Sequence, residues 1–310
     1  MAEIVGAILL FAVIITIFTS FMVWYIPAQT ANNESHYELQ TKSSLGTLVS
    51  DLHNGILSSG TTISESIPLG ISGVAIFSSA QDTEFSILPA YSSFNASLTF
   101  NVTIVAANNT GTQSTHYLNE SYAASGIMAS NGNTQYVTAI NYIVEDGALF
   151  QNYGNNQPPN SLGPMPLGIA NNSGAYSLNM EIFSISGFSE TYSSSQSQVI
   201  NLQINSSKTD SLVNGTLAAI SGSEYTIQSM KLNSMNYTIR GSLVDAWDFG
   251  FFNQFNATQP GYPAVIGLHS WHFSASPLYA TLSGNGMSIS TSSPLTLSTF
   301  TTEAVIVNGN

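Results

Sequence analysis

From Ile4 to Ile26 the chain runs 23 residues without a formal charge. This stretch restricts the fold more than any other. A helix of about 20 apolar residues crosses the hydrocarbon layer of a bilayer. A helix apolar on every side has to be buried, in lipid or among other helices. Glu3 stands at the front edge of the run, and no Lys or Arg precedes it. A cleavable secretory signal has a basic front, an apolar stretch of roughly 7–15 residues and a small-residue cleavage site. Here the front is acidic and the stretch is longer, although Ala28 and Ala31 mimic a cleavage site. The run reads as a retained helix.

Its pattern continues past the oily part. Pro27 is expected to kink or stop the helix. Beyond it, Leu45, Leu48, Leu52 and Ile56 return at helical spacing and share one face. Gly55 and Gly60 then offer stop signals. The expectation is one long helix, kinked near Pro27, from about Glu3 to Leu57, roughly 80 Å if continuous. Its first half is apolar on every side. Its second half is amphipathic and suited to lie against a globular head.

The chain as a whole is poor in charge: 7% against roughly 25% in an ordinary soluble domain. Seventeen acidic and four basic residues leave a formal charge of −13. Lys42, Lys208, Lys231 and Arg240 are too few and too scattered to track phosphates, which excludes nucleic acid as a partner. Ser, Thr, Asn and Gln replace the missing charge. Two readings account for such a surface: an acidic habitat, where ion pairs fail and neutral hydrogen bonds persist, or a glycosylated exterior. Asn-x-Ser/Thr sequons occur at Asn33, Asn95, Asn101, Asn108, Asn119, Asn171, Asn205, Asn214, Asn236 and Asn256. N-linked glycans are expected at a good fraction of them if the chain is exported. There is no cysteine, which removes disulfides, thiol catalysis and thiolate metal sites.

After Leu57 the chain alternates in β fashion. Strand-like runs fall at 73–77, 96–107, 134–144, 175–187, 198–204, 225–232, 236–244, 278–284 and 302–309, with Gly, Asn, Ser or Pro between them. The aromatic-dense stretch 242–255 reads as an ordered turn or short helix under the core. The fold class expected is therefore α+β: a long N-terminal helix, then a mostly-β head of one or two sandwich-like (Ig-like) modules. "PLGI" occurs at 68–71 and again at 166–169, a module length apart. This suggests a helix over 1–58 and β modules over 59–160 and 161–310, or a single undivided head.

A search for chemistry finds no nucleophile elbow, zinc-binding helix, phosphate loop or calcium loop. His269 and His272 lie three apart, which on a strand puts them on opposite faces. Asp245 with Asp248, and Glu145 with Asp146, are carboxylate pairs with Ca²⁺ as one reading and solvated turns as the other. No catalytic residue, metal site or cofactor is assigned, and the chain is read as a non-enzyme.

The early Glu, uniform apolar helix, mid-helix Pro and amphipathic continuation resemble mature type IV pilins. The small-residue opening "EIVGAILLF" is most similar to archaeal type IV pilins and the related archaellins. The likeness covers about the first 57 residues. Family precursors carry a short basic leader, removed by a dedicated prepilin peptidase. None is visible here, so the sequence starts near the mature end or its processing differs. The segment "NYIVEDGALFQNYG" also resembles part of large archaeal pilin-like exported proteins.

The resemblance implies a helix that waits in the membrane and then moves into the core of an extracellular homopolymer built by pilus assembly machinery. The packing residues implied are Ile4, Val5, Gly6, Ala7, Ile8, Leu9, Leu10, Phe11, Val13, Ile14, Ile15, Ile17, Phe18, Phe21 and Trp24. Glu3 takes the role of docking against a neighbour's terminal amine. The function expected is adhesion or surface attachment by a filament with a glycosylated sheath. The alternatives are a single-pass anchored ectodomain (adhesin, receptor or envelope hydrolase) and an archaellum subunit.

Overall fold

The computed structural model describes residues 2–54, 62–74, 78–106, 111–132, 134–153, 159–172, 175–186, 190–194, 196–209, 225–241, 270–275, 278–283 and 286–309, together with 243, 246–247, 249–251 and 253–254. One helix, α1, spans Ala2–Asn54 and carries Pro27 inside it. Proline removes one backbone donor from the ladder, yet the helix does not stop there. What is described after α1 is mostly strand, with turns, irregular connections and short helical segments, so the chain is α+β with largely antiparallel pairing.

The second half of α1 docks through Thr30, Glu34, Tyr37, Thr41, Leu45, Leu48, Val49 and Leu52, all buried. Steps of three and four place them on one face. The face divides along its length. Leu45, Leu48, Val49 and Leu52 join an apolar cluster with Ile67, Leu69, Phe85, Ile127, Val144 and Leu149. Each such side chain contributes about 2 kcal/mol of burial. Closer to the apolar run the same face is polar. There the Tyr37 hydroxyl donates to Thr83 Oγ1 at 2.8 Å, and the Tyr142 hydroxyl donates to Glu38 Oε1 at 3.1 Å.

The strands are β1 (Thr62–Ile67), β2 (Gly70–Ile71), β3 (Gln81–Ala106), β4 (Gly111–Ser130), β5 (Asn141–Glu145), β6 (Ala148–Asn152), β7 (Asn160–Ser161) and β8 (Leu167–Asn172). They continue with β9 (Ala175–Ser186), β10 (Glu190–Ser194), β11 (Gln198–Thr209), β12 (Tyr225–Arg240), β13 (Ser270–Ala275), β14 (Leu278–Ser283) and β15 (Gly286–Gly309). The main path runs β1-β11-β15-β12-β3-β4-β5-β6-β7, and the β9–β15 pair is parallel. The β1–β11 and β3–β12 ladders join strands from either side of residue 160.

Several strand expectations need correction. The run 225–232 and most of 236–244 form one strand, β12, with a register shift between Leu232 and Ser234. Residues 73–74 are not strand; Val74 O accepts from Ser78 N in a turn, and 75–77 lie outside the described residues. The run 134–144 is strand only from Asn141, because its first part gives its backbone donors to a glutamate on α1. Polar β4 gave no strand signal, yet it pairs with β3 from Gly111 to Ser130. The neighbour's backbone, rather than its own side chains, makes it a strand.

Strands β5 and β6 are buried on both faces. Tyr142, Val144 and Leu149 face the helix-side cluster. Phe150 packs on the opposite face against Trp247, with ring centroids 5.0 Å apart. The expected ordered segment is there: helical turns occur at 246–247, 249–251 and 253–254, and Trp247 and Phe251 are fully buried.

Candidate functional site

The most distinctive surface is the front of α1. Every residue from Ile4 to Phe21 is exposed, on all sides of the helix. Ile8, Phe11, Ile17 and Trp24 stand at 63, 64, 65 and 77% exposure. Val5, Leu9, Leu10, Val13, Ile14, Ile15 and Phe18 are also exposed. Phe21 stacks on Tyr25 with centroids 4.5 Å apart. Ile4, Ala7, Ile8 and Phe11, one helical stripe, frame a shallow apolar depression. Nothing lies within 4 Å of where a side chain on Gly6 would begin. Glu3 lies in the first turn of α1, where a carboxylate is favoured by the helix dipole.

Among the described residues this is one helix long and apolar enough to cross a membrane. Fifteen large apolar side chains in water cost on the order of 30 kcal/mol relative to burial, as an upper bound. A surface of this kind requires lipid or other apolar helices around it.

Where the apolar run ends, α1 is fastened to the head by polar contacts. The Glu34 carboxylate is fully buried. Its Oε1 accepts from Gln135 N at 2.7 Å, and its Oε2 accepts from Tyr136 N at 2.8 Å and Val137 N at 2.9 Å. Three successive backbone donors thus form a nest around one carboxylate. The Asn33 amide donates to Ser72 O at 2.7 Å. A polar cleft of about 270 Å³ lies here, lined by Asn32, His36, Gln40 and Ser72 among others.

At the far end of α1, His53 Nδ1 lies 2.6 Å from Glu181 Oε2 and Nε2 lies 2.8 Å from Gly147 O. Gly147 belongs to the two-residue turn between β5 and β6, where Asp146 and Gly147 both take positive φ, 46° and 71°. Asp-Gly suits such a turn because its twist matches the strands. The Asp146 carboxylate turns inward, accepting from Phe183 N and the Tyr237 hydroxyl, each at 2.8 Å. Glu145 accepts from Trp247 Nε1 at 2.8 Å. Both carboxylates are fully buried. Neither reading from sequence, calcium ligand or solvated turn, describes them: their donors come from β9, β12 and the helical segment.

Burial pushes the Glu145 carboxyl up, opposed by the nearby Ser92 hydroxyl and by the hydrogen bond from Trp247. Burial pulls the His53 imidazole down, but Glu181, Gly147 O and the Asp146 charge together push it above its ordinary value. Burial also raises the Tyr37 and Tyr142 phenols.

Of the sequons, Asn33 lies on α1, Asn95 and Asn101 in β3, Asn119 in β4, Asn171 in β8, Asn205 in β11 and Asn236 in β12. Asn108, Asn214 and Asn256 lie outside the described residues, as do Asp245, Asp248 and His269. His272 is in β13, opposite Thr281. No cluster of three or more metal-ligating side chains occurs among the described residues.

Sequence reasoning missed Glu34, His53 and Glu181. Glu34 had a signal: the Leu45 stripe, extended backward in steps of three and four, reaches it. Neither His53 nor Glu181 had one, since 128 residues separate them.

Comparison with family models, curated proteins and solved structures finds no match to this chain.

Proposed function

We propose that this protein is a structural subunit of an extracellular, archaeal type IV pilus-like filament. The observation that carries the reading is the two-part character of α1: all-round apolar and bare to Phe21, docked against the head from Thr30 onward. A plain anchor has no need of a helix that continues for about six turns across its ectodomain. In a polymer this continuity fixes each head rigidly to its core helix. Repetition of a contact that does not close into a ring gives an open helix.

In this reading the segment from Ile4 to Trp24 is held in the membrane before assembly and in the filament core afterwards. Gly6 and Ala7 permit close approach of neighbouring helices, and Glu3 docks on a neighbour's terminal amine. The head, as one or two sandwich-like modules carrying N-linked glycans, forms the outer sheath. The filament serves adhesion and surface attachment. Assembly machinery and a prepilin peptidase are its cellular partners, and no catalysis or resident cofactor is involved.

The test is to shear intact cells without detergent and image what is released. Thin filaments with this chain as their dominant component support the reading. Recovery only as detergent-soluble monomers from the membrane overturns it in favour of an anchored ectodomain.

A further inference from the structure

His53 is the basic residue in the last turn of α1. Both of its ring nitrogens face acceptors. A backbone carbonyl cannot donate, so Nε2 carries a proton toward Gly147 O. The Glu181 carboxylate likewise accepts, so Nδ1 carries one as well. The arrangement is that of an imidazolium, and the C-terminal end of a helix favours a cation.

The groups around the ring come from three elements. Strand β9 contributes the Glu181 carboxylate and the Phe183 ring, whose centroid is 5.0 Å away and edge-on. The β5–β6 turn contributes Gly147 O and the charge of Asp146. The last turn of α1 adds only Asp51, which is exposed. Among the described residues, every charged neighbour is therefore a carboxylate. Besides His53, α1 carries Lys42, exposed and three turns away, and His36, exposed and farther still.

We infer that the His53 imidazolium is a proton-operated clasp between the end of α1 and the head, closed in acid and released as the ring loses its second proton. Loss of the Nδ1 proton leaves a ring nitrogen lone pair facing a carboxylate, or forces the ring to turn away from Gly147 O. Either change unties the helix end from both the β5–β6 turn and β9. The clasp lies within one chain and does not depend on the filament reading.

A ring held above its ordinary value of 6.5 gives stability that is fully present below that value and lost as pH rises through the folded value. Opening of the helix end therefore increases about tenfold per pH unit between those two points. The experiment uses the full chain in detergent micelles, from about pH 5 to about pH 9, a range that spans ordinary and raised histidine values. Histidine C2–H exchange read by mass spectrometry gives the His53 midpoint directly. Amide exchange, corrected for its intrinsic pH dependence, reports opening at His53 and Asn54.

The expected result is a midpoint above 6.5, with helix-end protection falling over the same pH range in the native chain and the fall absent in His53→Gln. A His53 midpoint at or below the ordinary value overturns the proposal. So does helix-end protection in the native chain that is indifferent to pH. Both of these are read on the unmutated protein, so a variant that fails to fold does not blunt the test.

Discussion

The indole Nε1 of Trp247 donates to Oε2 of Glu145 at 2.8 Å, inside a site where both residues are fully buried. Phe94 and Phe251 pack on the same indole, with centroids 5.4 and 5.7 Å away. A carboxyl group in these surroundings is pushed up by burial more than Ser92 and Trp247 pull it down. Its protonated form is thus favoured by folding. Stability from this group is present below the ordinary value of 4.5 and lost as pH rises through the raised value in the fold.

Glu145→Gln removes the charge and keeps an acceptor for Trp247. The variant should be more stable than the native chain near neutral pH, and the gain should vanish below about pH 4, where the native carboxyl is also neutral. Urea unfolding of the full chain in micelles at the two pH values checks this. A variant less stable at neutral pH would show that the ionised form is the one the site holds.

Glu34→Ala leaves three backbone donors, at Gln135, Tyr136 and Val137, without their acceptor. Each donor left buried costs about 1–3 kcal/mol, and water reaching the exposed loop recovers part of it. A net loss of about 3 kcal/mol is expected. Amide exchange should rise at those three positions before it rises elsewhere. Glu34→Gln, which keeps one acceptor oxygen, should lose less.

Gly147→Ala places a methyl group at positive φ and against the Phe183 ring. Backbone strain alone costs about 1–3 kcal/mol. The turn must also move, which disturbs Gly147 O against His53. The variant should unfold at lower denaturant and lose part of the pH dependence at the helix end.

Ile15→Asp puts a carboxylate midway along the apolar run. It should abolish filaments while leaving the head folded, since no residue from Ile4 to Phe21 is buried in the subunit. Electron microscopy of sheared material and near-ultraviolet circular dichroism of the purified chain read the two effects separately. Glu3→Ala should reduce filament number; unchanged numbers would remove its docking role.

Asn33 should carry no glycan even where other sequons do. Its side-chain nitrogen, the atom a glycan would occupy, donates to Ser72 O from within α1. Asn236, exposed on β12, has no such constraint from burial. Glycopeptide mapping of the protein purified from its native cells distinguishes the two.

Of the raised groups, His53 and Glu145 act in the same direction. Both favour the fold more at low pH than at high pH.

Legibility in the sequence followed the range of the forces. The apolar run is a local property, and its exposure on every side of α1 follows from having no polar face to turn outward. The Leu45–Leu52 stripe is equally local, and it lies against the head as its spacing requires. Helix continuation through Pro27 was equally legible, because helical spacing resumes beyond it, and α1 runs on to Asn54. The strand β4 and the break at 134–140 were misread because what decides them is not local. A strand's partner lies far away in sequence, and so does the carboxylate that takes its backbone donors.

By itself the sequence determined a long helix of two characters, a β-rich remainder and the scarcity of charge, because each depends on neighbouring residues alone. Only the tertiary structure decided what the buried polar groups do. Glu34, His53, Glu145 and Asp146 find their partners across about 40 to 130 residues of chain, where hydrogen bonding in a low-dielectric interior rewards geometry that no local pattern encodes.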